Sequence, residues 1–384
     1  MTPLRLLAAA AAIALAAATA IALRSQPPPP VPNPANAVAR ALRAGATDAG
    51  FARARAPRAF AFPDDHGPHP DFRTEWWYFT GNLQAADGRR FGYQLTLFRI
   101  ALAAREPPPG NPWRTRQMWM GHFALTDAAQ GGFHAAERFA REALGIAGAV
   151  AAGPQLRLRD WRIAFDPVPQ GATSIRLRAR DGAHAIALDL RTTRPVVAHG
   201  DRGLSVKSDD PGNASYYYSI PRLETRGSVT TAGETHAVSG TSWLDREWSS
   251  GALGREQSGW DWLALHLDDG RDLMLYRLRR ADGGTDPHSA GTMVLADGTA
   301  LPLRAGDFDL RPTGHWTSPA SGARYPLRWD LAIASQGIRL GIEPLVERQE
   351  LNLALRYWEG AVSARGTHAG RPLRARGYLE LTGY

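Results

Sequence analysis

Residues 91–97, "FGYQLTL", alternate strictly: Phe91, Tyr93, Leu95 and Leu97 fall on one side of an extended chain, Gly92, Gln94 and Thr96 on the other. A period of two with unlike faces marks a strand. The run follows "ADGRR" and, before it, "EWWYFTGNL", which predicts a hairpin turning at Asp87-Gly88. The same arrangement returns in "GWDWLALHLDDGRDLMLYRLR", turning at Asp269-Gly270-Arg271. Two aromatic hairpins about 180 residues apart suggest two copies of one β architecture.

Further strands are expected at "MWMGHFALTD", "LRLRDWRIAF", "TSIRLRAR", "HAIALDLRT", "SYYYSIPRLETRGSVT", "PLRWDLAIA", "GIRLGIEPL", "LNLALRYWEGAV" and "RGYLELTGY". One helical patch is expected around "AERFAREAL", 136–144. Many short strands punctuated by Gly, Asp and Pro predict a mainly β protein of antiparallel barrels or sandwiches. A barrel of eight or more strands can leave room inside for one small ligand.

Length agrees with two units: 384 residues exceed what one core usually serves, and a division near residue 240 gives two domains of ordinary size. The expected organisation is therefore a leader at 1–23, a Pro/Ala-rich linker at 24–59, and β domains at 60–240 and 241–384. Met1 to Arg5 is short and positive, Leu6 to Leu23 is uncharged and Ala-dominated, and "ATA" at 18–20 has the form of a signal-peptidase site. The expectation is export to the periplasm or cell envelope, the leader being cut or kept as an inner-membrane anchor. "SQPPPPVPNP" then reads as an extended spacer.

The formal charge is +8, and Lys207 is the only lysine. The arginines are scattered through strand-like segments without a basic block interleaved with aromatics, so no nucleic-acid partner is expected. The chain has no Cys, which excludes disulfides, thiolate metal sites and cysteine nucleophiles. G-x-S-x-G, H-E-x-x-H, P-loop and strand-placed G-x-G-x-x-G motifs are absent, which speaks against serine hydrolases, zincins and nucleotide enzymes.

Four constellations carry candidate chemistry. "DDHGPHP" holds Asp64, Asp65, His66 and His69; two prolines and a glycine interrupt its His-x-x-His spacing, so the reading is a polar loop closing a barrel end, with no metal. In "EWWY", Trp76 and Tyr78 share one face and Glu75 and Trp77 the other. The aromatics are core or ligand wall; Glu75 needs a partner, with Arg73 or Arg99 the candidates, or does chemistry. In "SWLDREWSSG", Trp243, Asp245 and Glu247 point one way and Leu244, Arg246 and Trp248 the other. A carboxyl in an apolar indole-lined setting can stay protonated and donate a proton, and ring faces can stabilise a cation, a combination suited to alkene protonation. The plainer alternative is an Asp–Arg pair bracing the domain junction. In the second hairpin Trp260, Trp262, Ala264 and His266 share a face, and Tyr276 lies on the returning strand.

"FPDDHGPHPDFRTEWWYFTGNL", "YYSIPRL", "SGTSWLDREWSSG", "GWDWLALHLDDGRDLMLYR", "YWEGAV" and "GYLELTGY" resemble, in order and spacing, the AttH-like family of exported lipocalin-like proteins, of which carotenoid hydratases form a branch. The resemblance runs from about Phe60 to Tyr384 and implies two tandem lipocalin-like antiparallel β-barrels with few helices. In the hydratase branch water adds to an isoprenoid double bond without a cofactor. The branch's site segments would fall on Asp245, Arg246 and Trp248 and on Tyr276 to Leu278. Where the branch carries His near the Arg246 position and an acid near Leu278, this chain has Arg and Leu.

The expectation is a cell-envelope protein binding an apolar or amphipathic ligand, a lipid or isoprenoid, through Glu75, Trp76, Tyr78, Trp260, Trp262 and His266. The alternative is a hydratase, free of cofactor, using Asp245, Glu247, Trp248 and Tyr276. A third reading is a non-enzymatic partner of an envelope transporter.

Overall fold

The computed structural model describes residues 49–384 apart from 107, 109, 112, 151–153, 168–172, 193 and 252. The expected leader and most of the linker lie outside the described residues. Among the described residues no helix is long and apolar enough to cross a membrane.

The first sheet comprises β1 (Thr74–Ala85), β2 (Arg90–Ala101), β3 (Gln117–Asp127), β4 (Gly132–Arg141), β5 (Ala147–Val150), β6 (Gln155–Leu158), β7 (Trp161–Pro167), β8 (Thr173–Asp181), β9 (His184–Thr192), β10 (Val197–Ala198), β11 (Leu204–Val206), β12 (Ala214–Thr231) and β13 (Glu234–Ser249). The second comprises β14 (Gln257–Leu267), β15 (Asp272–Arg280), β16 (Ala290–Val294), β17 (Ala300–Arg304), β18 (Asp309–Thr317), β19 (Arg324–Ile333), β20 (Ile338–Pro344), β21 (Glu350–Asn352), β22 (Arg356–His368) and β23 (Arg371–Thr382). The first sheet runs β4-β3-β2-β1-β13-β12-β9-β8-β7-β6-β5, with β10 and β11 also on β12. The second runs β17-β16-β15-β14-β23-β22-β20-β19-β18, with β21 on β22. Each sheet curls around its own core, giving the two tandem lipocalin-like barrels that the resemblance implies.

The two expected hairpins form, and their turns match atom for atom. Ala85 N donates to Arg89 O at 2.9 Å and Leu267 N to Arg271 O at 2.9 Å. Gly88 and Gly270 both have φ +89° or within a degree of it, a backbone region open to glycine at little cost. In each sheet the first strand pairs both with the second and with the last, β1 with β2 and β13, β14 with β15 and β23. The sheets change over at residues 250–256. The division expected near 240 falls inside β13, which pairs with β1 from Thr74↔Ser249 to Ala85↔Val238.

The expected helical patch is a strand. Residues 132–141 form β4, in register with β3 from Met118↔Arg141 to Asp127↔Gly132. Local helix preference is worth tenths of a kcal/mol per residue, and an open ladder of β3 backbone groups outweighs it.

Alternation sorts each strand between two environments. Trp77 and Phe79 enter the first core with Trp119, Trp161 and Trp248; Leu263, Leu265 and Leu267 enter the second with Trp329 and Trp358. Their strand neighbours Tyr78, Trp262 and Ala264 form a third cluster with Tyr217, Trp243 and Tyr276. This cluster is the seam between the sheets. Polar bonds also cross it: Asn82 Nδ2 donates to Gly377 O at 2.8 Å, and Thr126 Oγ1 to Gln349 Oε1 at 2.6 Å. Large side chains pack the core of each barrel, and a cleft lies between the two sheets.

Candidate functional site: an acid-bearing aromatic cleft

A narrow, partly open cleft of about 90 Å³ runs into the seam, lined mainly by aromatic and apolar groups with a few convergent polar ones, as small-molecule sites are. The first sheet supplies Trp76 and Tyr78 from β1, Thr96 and Phe98 from β2, Tyr217 from β12, and Asp245 and Glu247 from β13. The second supplies Trp260 and Trp262 from β14, Tyr276 and Leu278 from β15, Tyr357 and Glu359 from β22, and Glu380 from β23. Lys207, just past β11, completes the wall. Six of these strands each contribute two residues two apart, because side chains two apart share a face; β12 and β23 contribute one each. Trp76, Phe98, Trp260 and Glu380 are half-buried and frame the mouth.

Asp245 lies on the cleft wall, 3% exposed. Tyr217 donates to its Oδ2 at 2.5 Å, Trp243 Nε1 to Oδ1 at 2.6 Å, and Ser219 Oγ to Oδ1. Burial pushes its pKa up and the neighbouring Glu247 adds to that; the three donors pull it back, leaving it at about 7. The result is a carboxyl that holds or releases a proton near neutrality. Behind Ser219, His199 Nε2 lies 2.6 Å from Ser219 Oγ and His199 Nδ1 lies 2.8 Å from Thr292 Oγ1. Burial, with the charge of Lys207, drops His199 to about 3, so its ring is neutral and fixes the Ser219 hydroxyl toward Asp245.

Lys207 Nζ lies 3.4 Å from Glu247 Oε1 and 4.3 Å from the centre of the Tyr276 ring. Burial works against its charge, but Glu247 and Tyr276 more than offset this and raise its pKa. Tyr276 in turn is held by Ser205 at 3.0 Å. Across the cleft Glu359 accepts from Tyr78 OH at 2.9 Å and stands opposite Glu380 in the β22–β23 register. Burial and Glu380 push Glu359 well above the usual carboxylate range, while burial, Asp245 and Glu247 bring Glu380 to about 8, against the lowering contact of Trp260. Four carboxyl groups thus face one ammonium, and they are accommodated because most hold protons near neutral pH.

Tyr357 links the cleft outward. His122 Nε2 lies 2.9 Å from Glu137 Oε1 and so carries the ring proton, which leaves Nδ1 to accept from Tyr357 OH at 2.5 Å. His122 is fully buried, whereas Glu137 reaches solvent.

Of the residues expected from sequence, Asp245, Glu247, Tyr276, Trp76, Tyr78, Trp260 and Trp262 converge on this cleft. Three do not. Glu75 faces the first core, 0% exposed, where Arg99 and Arg246 both bond its carboxylate and His69 N donates to it at 3.0 Å. Burial alone would raise its pKa, but Arg246, Arg99 and His69 hold it well below the usual carboxylate range. Its role is structural, and Arg99 is one of its two guanidinium partners. Trp248 is on the same inner face, stacked on His69 at 3.8 Å. His266 shares its face with Trp262 but lies further along the seam, where its Nε2 donates to Pro221 O at 2.6 Å.

The loop of the "DDHGPHP" stretch joins that inner network: His69 Nε2 bonds Asp65 at 2.9 Å, and His66 Nδ1 lies 2.6 Å from Tyr218 OH. Among the described residues no group of three or more His, Asp or Glu is arranged to hold a metal ion. Lys207, Tyr217, Tyr357, Glu359 and Glu380 were not singled out as site residues by sequence. Two signals bear on them: Lys207 is the sole lysine, and Glu359 sits in "YWEG", a carboxylate inside an aromatic strand as Glu75 is in "TEWWY".

No curated protein matches the chain significantly. The crystal structure of NE1406 from Nitrosomonas europaea, given as an AttH, is 34% identical and superposes with a TM-score of 0.76 over 87% of this chain and 100% of that one. Kievitone hydratase from Nectria haematococca superposes with a TM-score of 0.61 over 87% of this chain and 98% of that one, at 16% identity, a likeness of fold. The AttH-like description matches residues 53–384, nearly the whole of the described chain, and the protein is a member of the AttH-like family.

Proposed function

We propose that the protein binds an apolar or amphipathic small molecule, of the lipid or isoprenoid class, in the cleft between its two barrels. The observation that carries this reading is the convergence of Trp76, Tyr78, Trp260, Trp262 and Tyr276 from both sheets on one partly open cavity. Aromatic walls recognise hydrocarbon by area, and the few polar groups orient it. A cell-envelope location is part of this reading, and the leader-like composition of residues 1–23 supports it. The test is to purify the full chain from its own envelope, identify bound molecules by mass spectrometry, and titrate the emptied protein with farnesol while following indole fluorescence. Saturable quenching that Trp262→Ala weakens supports the reading. Protein that comes away empty and ignores farnesol and palmitate alike counts against it.

A second reading, addition of water to an alkene, is favoured by one observation: Asp245 sits in the aromatic wall with a pKa of about 7. In that reaction the Asp245 carboxyl gives its proton to one alkene carbon. The cation formed on the other carbon lies among the ring faces of Tyr217, Tyr276 and Trp262, water adds to it, and the proton that water sheds returns to a carboxylate of the cleft. Asp245→Asn then keeps farnesol affinity and abolishes incorporation of labelled water; equal incorporation by the variant sinks this reading and leaves the first standing.

A further inference from the structure

Further along the seam, past the cluster that holds Trp243 and Tyr378, lies a second groove of about 410 Å³. Its floor is laid by Asn82, Gly240 and Thr241 of the first sheet and by Ser363 and Ala364 of the second. Along β14, His266 of this groove is four residues from Trp262 of the cleft, about 13 Å of extended chain.

Four guanidinium groups converge there: Arg90 from β2, Arg365 from β22, and Arg374 and Arg376 from β23. Among the described residues none of the four makes an ion pair. The one carboxylate lining the groove, Asp268, accepts the backbone N–H of Arg374 at 3.1 Å. Arg222, also on the rim, is already engaged by Asp272 at 2.6 Å. Arg90 is half-buried, and its terminal nitrogen Nη2 is buried without a hydrogen-bond partner. Burial, then the charges of Arg376 and Arg365, act against the Arg90 cation.

What sets these four apart is that three strands from both sheets bring them to one concavity. Several surface arginines elsewhere are matched: Arg176 with Asp166 at 2.8 Å, Arg178 with Asp189 at 3.0 Å, Arg311 with Asp309 at 2.9 Å and Arg328 with Glu347 at 2.8 Å. Like charges brought together in a concavity repel unless an anion lies between them. A guanidinium presents paired N–H donors that fit the oxygens of a phosphate.

We propose that this groove is a binding site for a phosphate-ester group, held between Arg90 on one barrel and Arg365 and Arg376 on the other. The groove is much larger than a phosphate, so the ligand carries a body beside its anionic head. The source is a soluble phosphate ester or the headgroup of an anionic lipid, and the chemistry is the same for both. The site is separate from the aromatic cleft and does not rest on the function proposed for it.

The test uses the full chain and three probes: inorganic pyrophosphate, n-hexyl phosphate, and vesicles of phosphatidylcholine with or without phosphatidic acid. Calorimetric titration is expected to show saturable binding of hexyl phosphate that weakens with added salt. Arg90→Gln and Arg376→Gln should each weaken it roughly tenfold or more, the loss of one charge-assisted pair, while Arg176→Gln leaves it unchanged. Arg90→Gln should melt no lower than the parent without ligand, since it removes a cation facing two others; should it fail to fold, exposed Arg376 carries the comparison. Retention only on phosphatidic acid vesicles, lost in the same variants, also supports the site and assigns it to a lipid headgroup. Absence of binding to all three probes, or binding equal in parent and variants, overturns the proposal.

Discussion

Asp245 and Trp248 stand three residues apart on β13 and face opposite ways, Asp245 onto the cleft between the barrels and Trp248 into the core of the first. An odd separation on a strand reverses the side. One therefore serves the site and the other the fold, and substitution should separate them. Trp248→Ala removes a fully buried indole packed on His69, and a loss of about 3–5 kcal/mol is expected in urea unfolding. Its farnesol affinity, measured at low temperature where it remains folded, should match the parent. Asp245→Asn should show the reverse: parental stability or better, with altered chemistry in the cleft. A Trp248→Ala protein that is stable but blind to cleft ligands would contradict the two-face assignment.

The same Asp245 should leave a signature in the pH dependence of stability. Its carboxyl rises from an ordinary 3.8 to about 7 on folding, chiefly through burial. A carboxyl that binds protons more tightly when folded stabilises fully below its unfolded pKa, and that contribution is lost as pH climbs through the folded value. Buried His66, His199 and His266, each dropped from 6.5 to about 3 chiefly by burial, act in the opposite sense: their contribution grows as pH rises from about 3 to 6.5 and is level above that. The clean observable is therefore a difference. The stability of the parent minus that of Asp245→Asn, followed by urea unfolding, should fall between about pH 4 and pH 7 with a slope approaching one proton. A flat difference would mean that Asp245 is ionised at neutral pH like a surface acid.

Sequence made the strands and their alternation legible, and with them the pairing of Trp76 with Tyr78 and of Asp245 with Glu247. What it did not carry was which face of each strand looks inward. On β1 both faces are aromatic, Trp77 on one and Trp76 and Tyr78 on the other, because a barrel wall that packs a second barrel has no wet side. The hydrophobic contrast that assigns a face is then missing. Trp248 is a site candidate both as a ring near the acid and through the resemblance, yet alternation puts it on the face opposite Asp245, and there it joins the first core. Glu359, Glu380 and Tyr357 come from strands more than a hundred residues from Asp245, and only the docking of the barrels brings them near. The β4 segment was misread for another reason: Ala, Glu and Arg suit a helix locally, and the deciding partner, β3, is a tertiary fact.

Glu75 offers a test of what holds the first barrel shut. Its carboxylate is the sole acid between two fully buried guanidiniums, Arg99 and Arg246, and Arg246 lies 3.8 Å over the Trp77 ring. Glu75→Gln keeps the shape and removes the charge, leaving two cations without compensation in a low-dielectric core. Breaking a buried pair in this way costs about 3–5 kcal/mol. The loss should appear in the unfolding midpoint, with cleft binding intact in the protein that remains folded. A neutral result would show that water reaches this network.

Lys207 carries the last prediction, because a single lysine gives an unambiguous chemical readout. Its ammonium is buried, paired with Glu247 at 3.4 Å and seated 4.3 Å above the Tyr276 ring. Amine-selective acylation of the native protein should spare Lys207 and reach it only after unfolding, as peptide mass mapping would show. Lys207→Met leaves Glu247 buried without its counter-charge and should cost about 3–5 kcal/mol. Arginine, which fills every other basic position of the chain, should not rescue it. A guanidinium is a broad planar fork, whereas this niche between Glu247, Tyr217 and Tyr276 holds a compact charge on a slender stem. The expectation is that Lys207→Arg unfolds at lower urea than the parent and binds farnesol more weakly, because its larger head intrudes on the cleft. If Lys207→Arg matches the parent in both, the niche asks only for a positive charge, and its shape does not select lysine.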